Sequence, residues 1–448
     1  MNLTRKYIIE GQLTNLSPLM IGTGKGDLVD MEVIRGYGRQ PYIPATAMIG
    51  VLRHLYQEIF SDEAPYFFGK SYRGDEGEQS HCALDDARPV DVHNVNISVR
   101  DGIKIDPKTG IAADGAKYDY EVVDPGAIFF FRCELAVYDD CKEDAGQFVQ
   151  NILGLLRQGI QIGAKTQSGL GQVQLQDSRV YVFEFPYEGE KWFEYLDDGT
   201  KNLTPSDIAP ASLQGKQYDW IITADFSLQR SLLIGSYTVD PALPDKVQLR
   251  SGEHPVISGT SLKGALRSQA ERILCTLNPS GYHGTLIRDL FGYVDPKTKS
   301  AQKSRLSVKE VKIDKAREKK QTRIRIDRFT GGVMNGALFE EQPIFHHEER
   351  MQIAITLSCP SNAEIGLSLL LLRDLWTGMI AIGGGKNIGR GLLQGHYAEI
   401  VDRHSGREDT WFIQKSADGQ LQTVEAFRHR AQDFVDDLIA AAREERTQ

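Results

Sequence analysis

The sequence predicts an α+β protein built from two copies of one domain, and three observations lead there. The halves repeat the same motifs in the same order, which is the first thing to test in a long chain. Each half alternates strand-like and helical stretches. The chain has 448 residues, enough for two domains of about 200 residues each.

The repeat can be followed element by element. An early apolar strand ends in LMIG (Leu19 to Gly22) in the first half and in LLIG (Leu232 to Gly235) in the second. PYIPATAMIGVLR starts at Pro41 and PVISGTSLKGALR at Pro255, with a glycine nine and an arginine twelve residues past each proline: Gly50 and Arg53, Gly264 and Arg267. Downstream, Phe68-Gly69 matches Phe291-Gly292, and IDPKTG (Ile105 to Gly110) matches IDRFTG (Ile326 to Gly331). Last, GAKTQSGLG (Gly163 to Gly171) pairs with GGKNIGRG (Gly384 to Gly391), the second loop reading as one residue shorter. Duplication is the simplest account.

Helical spacing of Met48, Ile49, Leu52, Leu55 and Ile59 predicts a first helix with Thr46 as N-cap, and its counterpart starts near Ser261. AIFFFRCELAVY and MQIAITLSC read as strands, VQNILGLLRQGI and SLLLLRDLWTGMI as second helices. Two strand-helix-strand units per half predict a ferredoxin-like (RRM-like) sheet, covered by helices on one face and open on the other. The expected domains span 1–185 and 216–403, joined by a linker at 186–215 and followed by a helical extension at 404–448.

Composition narrows the function. With 41% apolar and 25% charged residues, and no apolar run of the roughly 18 residues a membrane span needs, a cytoplasmic protein without membrane contact is expected. The five cysteines show no metal or disulfide spacing. A net charge of −9 confines any nucleic-acid site to a local patch. The stretch Lys303 to Arg328 is such a patch, with eleven Lys/Arg against four Asp/Glu.

Two kinds of site could touch phosphate. The glycine loops could turn backbone N–H groups toward it, with Gly163, Lys165, Gly169, Gly171, Gly384, Lys386 and Arg390 as contacts, although glycines also serve tight turns. The starts of the first helices offer N–H groups and a favourable dipole, with Arg53, Lys263 and Arg267 beside them. For Lys263 and Arg267 a solvated surface pair is the competing reading. Histidines, including His346-His347, show no third ligand or nucleophile partner.

The whole set, a strand ending in Ile-Gly, an acidic loop, PxIPxxxxxGxLR, FG, IDxxTG and a late glycine-lysine loop, resembles the repeat-associated RAMP superfamily. Ser258 departs from it where the second half would carry its second proline. The likeness runs to about residue 400 and points to the backbone subunits of type III CRISPR complexes, in particular to the fused, two-domain backbone subunit of subtype III-D. It implies two tandem RAMP domains with thumb-like insertions, which bind guide RNA along a palm and displace a nucleotide at each thumb. Target RNA and other type III effector subunits are the further partners implied. It also implies a metal-dependent endoribonuclease in which a loop Asp cuts target RNA with Mg²⁺ or another divalent cation. On this alignment Asp30 and Asp245 are the cutting and metal-holding carboxylates, and Asp27 and Asp240 are rivals in the same loops. RNA carries its own 2′-hydroxyl nucleophile, so one aligned carboxylate per cut suits the chemistry. A scaffold with inactive aspartates, which only binds RNA and its neighbours, is the alternative; a guide-processing ribonuclease would need a general base that the sequence does not offer.

Overall fold

The computed structural model describes residues 2–24, 26, 29–60, 66–69, 77–106, 109–213, 218–236, 243–279, 284–295, 297–345, 350–404, 407–416 and 421–444. The chain forms two units. The first comprises residues 1–100, 119–166 and 170–216, the second residues 217–448 with 101–118 and 167–169.

In the first unit, alternating residues of β1 (Leu3–Asn15) turn Tyr7, Ile9 and Leu13 into the core. The chain then forms α1 (Ala45–Ile59), the short strands β2 (Cys82–Leu84) and β3 (Arg88–Pro89), and a hairpin of β4 (Ile97–Ile105) and β5 (Ala112–Val123), of which residues 101–118 count with the second unit. It returns as β6 (Ile128–Tyr138), α2 (Ala145–Gln158), the short β7 (Ile160–Gln161) and β8 (Gln172–Glu184). The strand order β2-β6-β1-β8-β7 is antiparallel throughout. It is the ferredoxin-like order with the hairpin inserted before its third main strand. Met48, Leu52 and Tyr56 of α1 and Phe148, Ile152 and Leu156 of α2 meet the sheet in one core. Cys82 and Cys133 pack there as thiols, their Sγ atoms 3.4 Å apart.

The second unit repeats the plan. Its sheet starts from β9 (Asp219–Leu228), flanked by strands Met351–Ser358 and Leu393–His404, with Leu306–Val308 at one edge. Helix α4 (Gly259–Leu277), the short α5 (Gly284–Phe291) and α6 (Asn362–Trp376) cover the core face. Its hairpin is formed by strands Gln321–Ile326 and Val333–Gln342.

Five expectations need correction. The 186–215 segment is not a bare linker, because α3 (Gly189–Asp198) sets Tyr195 and Trp192 against Ile8, Tyr181 and Phe183. Those residues lie on the sheet face opposite the main core, so that face is partly covered rather than open. The extension after 403 is not purely helical: strand Arg407–Lys415 lengthens the sheet before α7 (Glu425–Glu444). That helix packs so closely on α6 that a Cβ at Gly366 would stand 2.1 Å from the Phe434 carbonyl oxygen. Thr46 does not cap α1, which begins at Ala45 after Pro44; the Ala45 N–H donates instead to the Asp86 carboxylate at 2.9 Å. Finally, the glycine loops are equal in length. Gly163, Lys165, Gly169 and Gly171 share positive φ with Gly383, Gly385, Gly389 and Gly391, so Thr166 rather than Lys165 matches Lys386.

Candidate RNA-binding and cleavage surface

The hairpins are built alike down to their turns. Asp106 and Asp327 each accept from the N–H three residues on, and Gly110 and Gly331 close the turn onto the aspartate carbonyl. Both glycines have positive φ, which explains the IDxxTG spacing. The exposed Asp327 carboxyl lies below its ordinary range because the Thr330 and Phe329 N–H groups bond it. Around these turns the hairpins expose apolar side chains: Val99, Ile103, Ile105 and Ile111 in the β4–β5 hairpin, Ile324, Ile326, Val333 and Leu338 in the later one, with Phe329 at the tip 98% exposed. Ile324 and Ile326 stand opposite Leu338 and Val333, so one face of that hairpin is an unburied apolar strip.

At each hairpin root the returning strand meets the loop between the first strand and first helix. Met31 pairs in parallel with Tyr120, and Lys246 with Glu341. Gly22 pairs with Val33 as Gly235 does with Gln248, and Leu19 with Val123 as Leu232 does with Ile344. By this register Asp30 and Asp245 occupy equivalent positions. Both are exposed, and each accepts the N–H of the residue preceding the paired one: Asp119 to Asp30 Oδ2 at 3.1 Å, Glu340 to Asp245 Oδ2 at 2.9 Å. Asp27, Asp240 and His346-His347 lie outside the described residues.

Two arginines that sequence reasoning passed over follow at the same distance, Arg35 and Arg250. Arg35 pairs with Glu121 at 2.8 Å, and Arg250 with Glu318. Burial pushes the Glu121 carboxyl up, but Arg35 and the Val33 N–H outweigh it and hold the group below its usual range. The D-x4-R spacing shared by DMEVIR and DKVQLR was the available signal.

The glycine loops spend their N–H groups internally. Ala164 and Gly171 donate to the Met20 and Pro18 carbonyls, Gly384 and Gly391 to those of Leu233 and Ser231, all at 2.8 Å. Close backbone approach therefore explains Gly163, Gly171 and Gly391: a Cβ there would stand 2.2, 2.0 and 1.9 Å from a carbonyl oxygen. Gly169 also has positive φ, whereas Gly384 does not. Lys165 Nζ sits 4.4 Å from the centre of the Tyr120 ring, beside the Asp30 loop. Lys386 is exposed. Arg390 is not a surface contact: it is 3% exposed and clamps Glu341 at 2.8 Å and Gln321 at 2.8 Å, at the position that Leu170 fills in the first unit.

The helix starts are also occupied. Asp86 takes the first N–H of α1, and Ser258, in place of the missing proline, takes the Ser261 N–H of α4. Lys263 is no solvated surface residue, since its ammonium donates to Ser304 Oγ at 2.7 Å and the Leu306 carbonyl at 2.9 Å. Burial, and then the neighbouring Arg267, lower its pKa to about 8. Arg53 and Arg267 stay partly exposed, Arg267 paired with Glu271 at 3.1 Å. One turn before them Gly50 and Gly264 are exposed inside helices, and a Cβ at either would meet nothing within 4 Å.

Among the described residues no cluster of three or more His, Cys, Asp or Glu side chains could hold a metal ion. No helix there is long and apolar enough to cross a membrane.

The fold and this twice-built surface define a tandem protein, two ferredoxin-like domains each carrying a long hairpin, an aspartate loop and a glycine loop. The RAMP superfamily model matches residues 12–174 and 226–394. The chain belongs to the RAMP superfamily, with one domain in each half. Among solved structures it is similar to a chain of "Cryo-EM structure of the Type III-B Cmr-beta bound to cognate target RNA", at 13% identity and a TM-score of 0.32, covering 38% of this chain and 96% of that one. No curated protein matches it.

Proposed function

We propose that this protein is a backbone subunit of an RNA-guided type III CRISPR complex, which holds guide RNA and cuts the paired target RNA at Asp30 and Asp245. The observation that carries the reading is the twofold meeting of an exposed loop aspartate with the root of an apolar hairpin. A hairpin bearing Ile324, Ile326 and Phe329 on its surface suits insertion between stacked bases, which opens the strand at intervals. The carboxylate at its root then lies where a displaced, kinked nucleotide exposes its 2′-hydroxyl and phosphate.

Guide RNA backbone would lie along the Gly50–Arg53 and Gly264–Arg267 faces. A glycine inside a helix costs about 0.5–1 kcal/mol relative to alanine, and here no neighbouring group requires it. Close approach of a ligand backbone supplies the missing reason. Lys165, Lys386 and the exposed cations of the second hairpin, Arg325 and Arg328, add local positive potential to an acidic chain.

The donor set fits a hydrated Mg²⁺ or another divalent cation held by one carboxylate and RNA phosphate, rather than a closed protein cage. Asp30 and Asp245 would hold it, and the ion would neutralise charge developing on the phosphate. The chain's own contribution is to fix the carboxylates and splay the strand. The test is cleavage of a complementary target by the assembled complex with Asp30→Ala, Asp245→Ala and both. Full-rate cutting by the double variant, with other nuclease subunits inactivated, would leave the scaffold reading.

A further inference from the structure

A surface aspartate in a turn ordinarily bonds its own backbone two or three residues on, as Asp106 and Asp327 do at the hairpin tips. Asp30 and Asp245 do not. Their carboxylates reach N–H groups 89 and 95 residues further along the chain, on the strand returning from the hairpin. The same long-range bond, beside the same parallel pairing, occurs in both halves.

In the first unit the bond is returned, because Asp119 Oδ1 accepts the Asp30 N–H at 2.9 Å. The Glu121 N–H adds a bond to the Met31 carbonyl at 2.9 Å. In the second unit the equivalent side chain, Glu340, turns across its hairpin to Lys320 and Thr322 instead. There the Glu340 N–H holds the loop carboxylate without the side-chain bond that Asp119 adds in the first unit.

We propose that the hairpin root positions the cutting carboxylate in both units, and that Asp119 is a positioning residue for Asp30, a role its equivalent Glu340 does not share. This rests on the reading that Asp30 and Asp245 cut. A carboxylate fixed through one oxygen presents the other in a set direction, and misplacement by about 1 Å can cost on the order of 100-fold in rate.

The test uses the full chain. Hydrogen exchange should speed at least tenfold at the Asp119 amide in Asp30→Ala and at the Glu340 amide in Asp245→Ala. Asp30→Asn and Asp245→Asn, whose amide oxygens still accept, should leave both amides protected. In the assembled complex Asp119→Ala should lower kcat for the first unit's cut 10- to 100-fold with KM unmoved and the other cut unchanged. Asp119→Asn should restore that cut to within about threefold, and Glu340→Ala should leave both cuts intact. Unchanged exchange in the alanine variants, or an undiminished first cut in Asp119→Ala, overturns the proposal. A wild-type complex that makes no cut while the exchange pattern holds sinks the cutting reading and the positioning role, leaving the tether as a fold contact.

Discussion

At the hairpin root the two units keep one backbone and fill it with opposite chemistry. Where the first has Tyr120 and Leu170, 3% and 1% exposed, the second has Glu341 and Arg390 joined at 2.8 Å. Arg323 joins the same carboxylate at 3.1 Å. The register that equates these residues is fixed by the parallel pairing and by the positive-φ glycines. What the position demands is therefore filled volume beneath the hairpin, not a charge offered to RNA.

The largest effect would break the comparison on the functional side. If the units are equivalent, Asp30→Ala and Asp245→Ala should each abolish one product, with a rate loss of at least about 1000-fold for that cut, while the other persists. Removal of both products by one substitution, read on a gel of end-labelled target, would show that only one unit cuts. Affinity for target should fall by less than about tenfold, since a catalytic group acts chiefly on the transition state.

Next is the ion pair itself. Arg390→Ala leaves the Glu341 carboxylate with Arg323 as its remaining partner in a nearly closed site and should destabilise the second unit by about 1–3 kcal/mol in denaturant melts. Arg390→Leu together with Glu341→Tyr, which copies the first unit, should recover most of that loss, because well-packed apolar groups can replace a buried pair. No recovery would mean that the two roots are not interchangeable.

Lys263 sharpens the comparison through pH, since Ile49 stands at its place in the first unit. Its folded pKa, about 8, lies below the unfolded value near 10.4. Between these values the unfolded chain binds more protons, so stability rises with pH there. Below pH 8 charging the buried ammonium costs up to about 3 kcal/mol, and Lys263→Met should flatten the pH 8–10.5 slope of a thermal melt.

The smallest effect separates stability from binding. Gly50→Ala and Gly264→Ala should each stabilise their helix by roughly 0.5–1 kcal/mol yet weaken guide binding about three- to tenfold. Arg53→Ala and Arg267→Ala should instead lower the salt slope by about one counterion each. Tighter binding by either alanine variant would remove the close-approach argument.

Much of this architecture is legible in the amino-acid sequence. Five landmarks in the same order pointed to the duplication, and the landmarks are steric: Gly69 and Gly292 have positive φ and closely approach backbone further along the chain, and the IDxxTG residues close a turn. Local chemistry of this sort is written in residue order. The rest was decided by partners far along the chain. Asp86 caps α1 from 41 residues away, the EKWFEYLDD segment forms α3 against the apolar surface of Ile8 and Phe183, and Arg390 lies buried against Glu341. Aligning the glycine loops on their lysines misled, because backbone sign rather than side-chain charge governs their length. For the loop aspartates, sequence supplied the residue but not its distant partner.

That shared glycine loop has a further consequence for how such a chain can be re-engineered. With a carbonyl oxygen 2.0 Å from any Cβ at Gly171 and 1.9 Å at Gly391, neither copy can gain or lose a residue there without shifting its final strand out of register. The loop acts as a fixed-length gauge between the second helix and the last strand. Segments exchanged between the copies at Gly163/Gly383 and Gly171/Gly391 would meet their new flanks already in phase, which makes these glycines the natural joints for chimeric backbones.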